Sequence, residues 1–213
     1  MSFKLAKIIS FLFQPLLMPI YGTIILLNAG TWMSYTIFPA LRNALYLVMF
    51  TSTFLMPALT FLLLLKKKEI NSLEMESRTE RNIPYISTLL FYIVGWYLLN
   101  KLPLPRVFGN IIMGASLAIL IAFLINLRWK ISIHMMALGG TAGMLFAFAT
   151  LFNFPLSTPL IMLLVIAGIT GTARLILHAH IPSQVYTGFL LGFGIEWLFV
   201  YIYNLAPYYI SIL

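Results

Sequence analysis

Seven stretches of this chain run for about 20 residues with scarcely a charge in them, near 8–28, 43–65, 84–100, 105–127, 134–153, 158–177 and 184–205. Charges, prolines or glycines separate them. Inside a bilayer no water satisfies backbone N–H and C=O groups, so a segment of this kind crosses as a helix. The pattern predicts an all-α polytopic transmembrane bundle of about seven spans, built as a single domain over residues 1–213. Only 8% of residues are charged, against about a quarter in a soluble domain, too few to build a water-facing surface. Gln14, Pro15 and Pro19 interrupt the first stretch. It is either an uncleaved first span, continuing to about Leu27 without a small-residue cleavage site, or a kinked or re-entrant segment that leaves six full spans.

With seven crossings the N-terminus and the loops at 66–83, 128–133 and 178–183 share one side. That side carries Lys4, Lys7, Lys66, Lys67, Lys68, Arg78, Arg81, Arg128, Lys130 and Arg174, ten of the 13 basic residues. Only Arg42, Lys101 and Arg106 face the other way, so the positive-inside rule puts the first side in the cytoplasm, and a bacterial inner membrane is the expected location. A net charge of +8 suits anionic lipid headgroups as neighbours or substrates. Nucleic acid is not an expected partner, because the basic residues are spread over loops instead of forming one soluble face. With no Cys there are no disulfides or thiolate ligands. With no Asp either, any carboxylate chemistry falls to Glu69, Glu74, Glu76, Glu80 and Glu196.

The three histidines, His134, His178 and His180, lie in two loops that this topology places on one side, with Arg81 and Arg174. Guanidinium forks match phosphate oxygens, and imidazole works as nucleophile, acid or base near neutral pH. The grouping points to chemistry on an anion. His178 and His180 have no thiolate or carboxylate beside them in sequence, so no metal site and no cofactor are expected.

Spacing sharpens this. Arg174 is followed after five residues by His180 and after three more by Gln184; Ile131-Ser132-Ile133-His134 lies upstream, and Arg78-Thr79-Glu80-Arg81 with Pro84 lies earlier still. Over roughly residues 66–200 this order resembles the type 2 phosphatidic acid phosphatase superfamily. Its three motifs read Lys, six residues, Arg-Pro; then Pro-Ser-Gly-His; then Ser-Arg, five residues, His, three residues, Asp. Arg174, His180, Ser132, His134 and Arg81 carry over. Ala173 stands for the third-motif Ser, Gln184 for the Asp, Ile131 and Ile133 for Pro and Gly, and Glu74 for the first Lys. Arg78, three residues before Arg81, would share its helix face and supply a second cation.

The resemblance implies a metal-independent membrane phosphatase acting on a lipid phosphate or pyrophosphate. In it His180 attacks phosphorus, His134 protonates the leaving oxygen and then activates water, and Arg174, Arg81, Ser132 and Arg78 hold the phosphoryl oxygens. Gln184 would orient His180 without lending it charge. Loss of that charge leaves a catalytically impaired relative, which binds or moves phosphorylated lipids, as the alternative. Glu80 is the carboxylate that topology brings nearest. Family members commonly act at the outer face, which opposes the cytoplasmic placement above.

Other features read as architecture. Gly139 with Gly143, and Gly188 with Gly192, are small-xxx-small pairs that let helices approach closely. Trp96, Trp129 and Trp197 suit interfacial belts, and His178 an interfacial contact. Glu196 lies about 12 residues, or 18 Å, into the last stretch. That distance argues against a catalytic part for it.

Overall fold

The computed structural model describes residues 1–30, 32–75, 77–152 and 156–210, with side chains to Ile202. Glu76 and residue 153 lie outside the described residues. The described residues are 81% helical, and seven helices among them are long and apolar enough to cross a membrane. They run over Phe3–Asn28, Pro39–Lys66, Thr79–Leu99, Val107–Asn126, Ile133–Phe152, Ser157–Ile176 and Pro182–Ile202. The first segment is therefore long and apolar enough to cross completely.

It does so in two pieces, α1 (Phe3–Leu12) and α2 (Met18–Asn28), joined through a 3₁₀ turn at Pro15–Leu17. Pro15 has no N–H to give the Phe11 carbonyl, and its ring drives Gln14 into extended backbone. The last carbonyls of α1 are thus released. Tyr21 Oη donates to Leu12 O at 3.2 Å, and a histidine from another span meets Ser10 O. The short α3 (Trp32–Thr36) leads into the second span, α4 (Pro39–Phe50) and α5 (Met56–Lys66). A π-helical turn at Thr51–Leu55 joins these two, where Pro57 denies the Thr53 carbonyl its partner. The remaining spans are α6 (Asn82–Leu99, entered by a 3₁₀ turn at Thr79–Arg81), α7 (Val107–Asn126), α8 (Ile133–Phe152), α9 (Ser157–Ile176) and α10 (Pro182–Ile210).

The central helix is α8, packed against α2, α7, α9 and α10. Its closest partner is α10, and the reason is glycine. A Cβ added to Gly139 would sit 2.1 Å from Phe189 O, one on Gly143 2.2 Å from Phe193 O, and one on Gly192 1.9 Å from Met136 O. Backbone meets backbone there, as the paired glycines predict. Both helices start at the same end of the bundle, so this contact fixes the beginning of α10 against the beginning of α8.

Candidate functional site

A cavity of about 640 Å³ opens at that end and reaches inward among all seven spans. Its mouth is polar: Lys7, Ser10, Glu74, Arg81, His134, Arg174 and His180 line it. Below the mouth the wall is apolar, contributed by Phe54, Phe61, Ile111, Ile119 and Met144 among others. On one flank α1 packs against α9 while α5 packs against α6. Phe11 of α1 and Leu62 of α5 both line the cavity and are 74% and 51% exposed.

The end of α9 builds the Arg174–His180 half of the mouth. His178 has φ +50°, Ala179 N donates to Arg174 O at 3.1 Å, and His178 N donates to Leu175 O at 3.0 Å. This is a Schellman ending, and His178 holds the left-handed position that glycine favours. His178 itself is exposed and lies outside the cavity lining. The reversal delivers His180 into the mouth, 7% exposed, and Pro182 then starts α10.

His180 Nδ1 lies 2.9 Å from Gln184 Oε1, which also accepts from Ile181 N at 3.4 Å. An amide oxygen only accepts, so Nδ1 carries the proton and Nε2 keeps its lone pair. Burial pulls His180 down to about 3; the Gln184 bond works against that, and Arg81, Arg174 and Lys130 add to it. The imidazole is neutral at physiological pH, as a nucleophile must be. Arg174 is 6% exposed, and its Nε has no hydrogen-bond partner among the described residues. A buried donor left this way costs about 1–3 kcal/mol, which an anionic ligand oxygen would relieve.

His134 stands on the first turn of α8, with Nε2 3.1 Å from the Ser10 carbonyl. That carbonyl is one of those released by the α1 kink, so the proline break sets the orientation of a histidine 124 residues away. Since a carbonyl only accepts, Nε2 donates and Nδ1 is left as an acceptor. Arg81 is also held by carbonyls, its Nε donating to Met75 O at 2.9 Å and its Nη1 to Ile131 O at 3.4 Å. It thereby ties the 66–83 loop to the start of α8 while lining the cavity.

Two of the expected phosphate ligands are placed elsewhere. Arg78 is exposed and lines a separate small pocket with Thr79, Asn82 and Asn126. Arg78 precedes the 3₁₀ turn with its backbone already helical, yet its side chain lines this small pocket while that of Arg81 lines the large cavity. Ser132 is fully buried just ahead of α8, outside the cavity lining, with its Oγ unpartnered among the described residues. Its N–H donates to Gln184 O at 3.3 Å, which couples the two histidine segments. The carboxylate at the mouth is Glu74, 4.0 Å from Lys7 Nζ, whereas Glu80 accepts from Asn71 away from the cavity.

Glu196 requires the largest correction. It is 4% exposed and lines the same cavity, its Cγ facing Gly140 across the α8 contact. Gly140 is six residues past His134, about 9 Å along α8. Counting from the start of α10 overstated the depth, because Gly188, six residues into α10, is already level with Ser132.

Comparison with protein-family models, curated proteins and solved structures finds no match to this chain.

Proposed function

We propose that the chain is a metal-independent phosphatase of lipid phosphates or lipid pyrophosphates in a bacterial cytoplasmic membrane, a divergent relative of the type 2 phosphatidic acid phosphatases. The observation that carries this reading is the convergence of Arg174, His134 and a Gln184-held neutral His180 on one cavity mouth. The apolar wall below the polar mouth supports a substrate whose hydrocarbon chain lies in the cavity while its phosphate sits at the mouth.

In this reading His180 Nε2 attacks phosphorus and the bond from phosphorus to the leaving oxygen breaks, giving a phosphohistidine. The leaving oxygen takes a proton from His134 protonated at Nδ1. Neutral again, His134 removes a proton from water, the water oxygen attacks phosphorus, and the N–P bond breaks to release phosphate and His180. Arg174 and Arg81, with the N-termini of α8 and α10, stabilise the charge that develops on the phosphoryl oxygens. Purified protein in detergent with EDTA is expected to release phosphate from at least one of phosphatidic acid, phosphatidylglycerophosphate and polyprenyl pyrophosphate. His180→Ala is expected to abolish release; inactivity of the wild type on all three lipids, or full activity of the variant, contradicts the proposal.

A second reading, a relative that binds lipid phosphates without turnover, is favoured by one observation: an amide and no carboxylate faces His180 Nδ1. Saturable binding of the same lipids with no phosphate released would favour it.

A further inference from the structure

Glu196 is unused by the chemistry above, yet its position is built. An added Cβ on Gly114 of α7 would lie 2.5 Å from Glu196 Oε2, and one on Gly140 of α8 would lie 3.2 Å from its Cγ, so the side chain is seated between two glycines. Tyr92 is within its electrostatic reach. Oε2 has no hydrogen-bond partner among the described residues. Among the hydroxyls that line the cavity, those of Thr88 and Thr141 are turned to their own helices, Thr88 Oγ1 donating to Pro84 O at 2.7 Å and Thr141 Oγ1 to Ala137 O at 3.1 Å. An ionisable group within a span, with an unpartnered oxygen on a cavity wall, marks a functional site.

We infer that Glu196 is a specificity residue that hydrogen-bonds an oxygen-bearing linker, ester or hydroxyl, lying beneath the phosphate of the bound lipid. The inference rests on the proposed placement of the phosphate at the mouth. Glycerol esters hang a few bonds below a phosphate, within the depth of about 9 Å that separates His134 from Gly140 along α8. A polyprenyl phosphate has only hydrocarbon at that level and leaves the carboxyl unpaired inside an apolar wall. A site built to hydrogen-bond a ligand group discriminates strongly against the analogue lacking it. The favoured class is therefore glycerolipid or other hydroxylated lipid phosphates over polyprenyl phosphates.

The test is equilibrium binding to the detergent-solubilised full chain, which needs no turnover. Diacylglycerol phosphate, its dialkyl ether analogue and polyprenyl monophosphate are compared on wild type, Glu196→Gln and Glu196→Leu. The wild type should bind the diester at least tenfold more tightly than the polyprenyl lipid. Glu196→Gln, which still donates and accepts, should keep that preference, and Glu196→Leu should lose it. Equal wild-type affinities, or an intact preference in a folded Glu196→Leu, overturn the inference and leave the phosphatase proposal standing. If Glu196→Leu does not fold, the ether analogue decides: weakened to the polyprenyl level it supports the inference, and equal to the diester it overturns it. Failure of every lipid to bind overturns both this inference and the phosphate reading beneath it.

Discussion

Replacing Gly192 by Ala tests the helix contact that holds the two histidine segments together. The new methyl would lie 1.9 Å from Met136 O, 2.8 Å from Met136 C and 3.0 Å from Gly140 N, all backbone atoms. A carbon–oxygen contact relaxes at about 3.3 Å, so α8 and α10 must part locally by about 1.4 Å. Overpacking of this kind costs about 1–3 kcal/mol, equivalent to about 2–12 °C in Tm for a chain of this size. The same displacement separates His134 from His180, and a misplacement of about 1 Å near reacting groups lowers rate by on the order of 10²-fold. Gly194→Ala is the matched control, because no atom lies within 4 Å of its added Cβ. It should be neutral or gain up to about 1 kcal/mol of helix propensity. Thermal unfolding in detergent and phosphate release are measured on both variants. A Gly192→Ala protein indistinguishable from Gly194→Ala in both would refute the close packing of α8 on α10 and its role in setting the site.

Gln184→Glu is isosteric and exchanges the amide oxygen 2.9 Å from His180 Nδ1 for a carboxylate oxygen; turnover should rise at least tenfold, by analogy with the about 10⁴-fold loss on the isosteric Asp-to-Asn change in a serine protease, and an unchanged or lower rate in a folded variant would contradict the orienting role. His180, at about 3 when folded against about 6.5 unfolded, has its folded value depressed, so its contribution to stability is full above pH 6.5 and is lost as pH falls toward 3. Imidazole ¹⁵N resonances should show His180 neutral at pH 5, with Tm falling below pH 6.5 more steeply in the wild type than in His180→Gln; a protonated ring at pH 5 would contradict its burial. His178→Gly should retain activity and gain about 0.5–1 kcal/mol by relieving the left-handed position, whereas His178→Val should lose stability in the same unfolding assay.

The seven spans were legible in the sequence because a bilayer permits one solution for a long apolar run, and each run appeared as a helix. Arg174, His134 and His180 were also legible as a group, since charge and imidazole are rare in this chain and topology alone brings three loops to one end. Gln184 as the partner of His180 came from the resemblance, in which it stands for the motif Asp. What was not legible depended on how helices sit against one another. The depth of Glu196 required the offset between α8 and α10, which glycines set through backbone contacts. The tie from His134 to Ser10 required the kink at Pro15; a break that frees carbonyls was legible there, but not which side chain would meet them. Arg78 is helical in backbone and three residues from Arg81, yet the two side chains line different pockets, which spacing alone does not reveal.

The phosphohistidine on His180 is the centre of the account, and trapping it is the most direct measurement. Purified wild type and His180→Ala are mixed with a hydrolysed lipid phosphate, quenched rapidly in alkali, where phosphohistidine survives, and analysed by peptide mass spectrometry. One added phosphoryl group on the peptide bearing His180, absent from His180→Ala and accumulating in His134→Ala, is the predicted result. Phosphate release by the wild type with no phosphorylated His180 at any mixing time would contradict it.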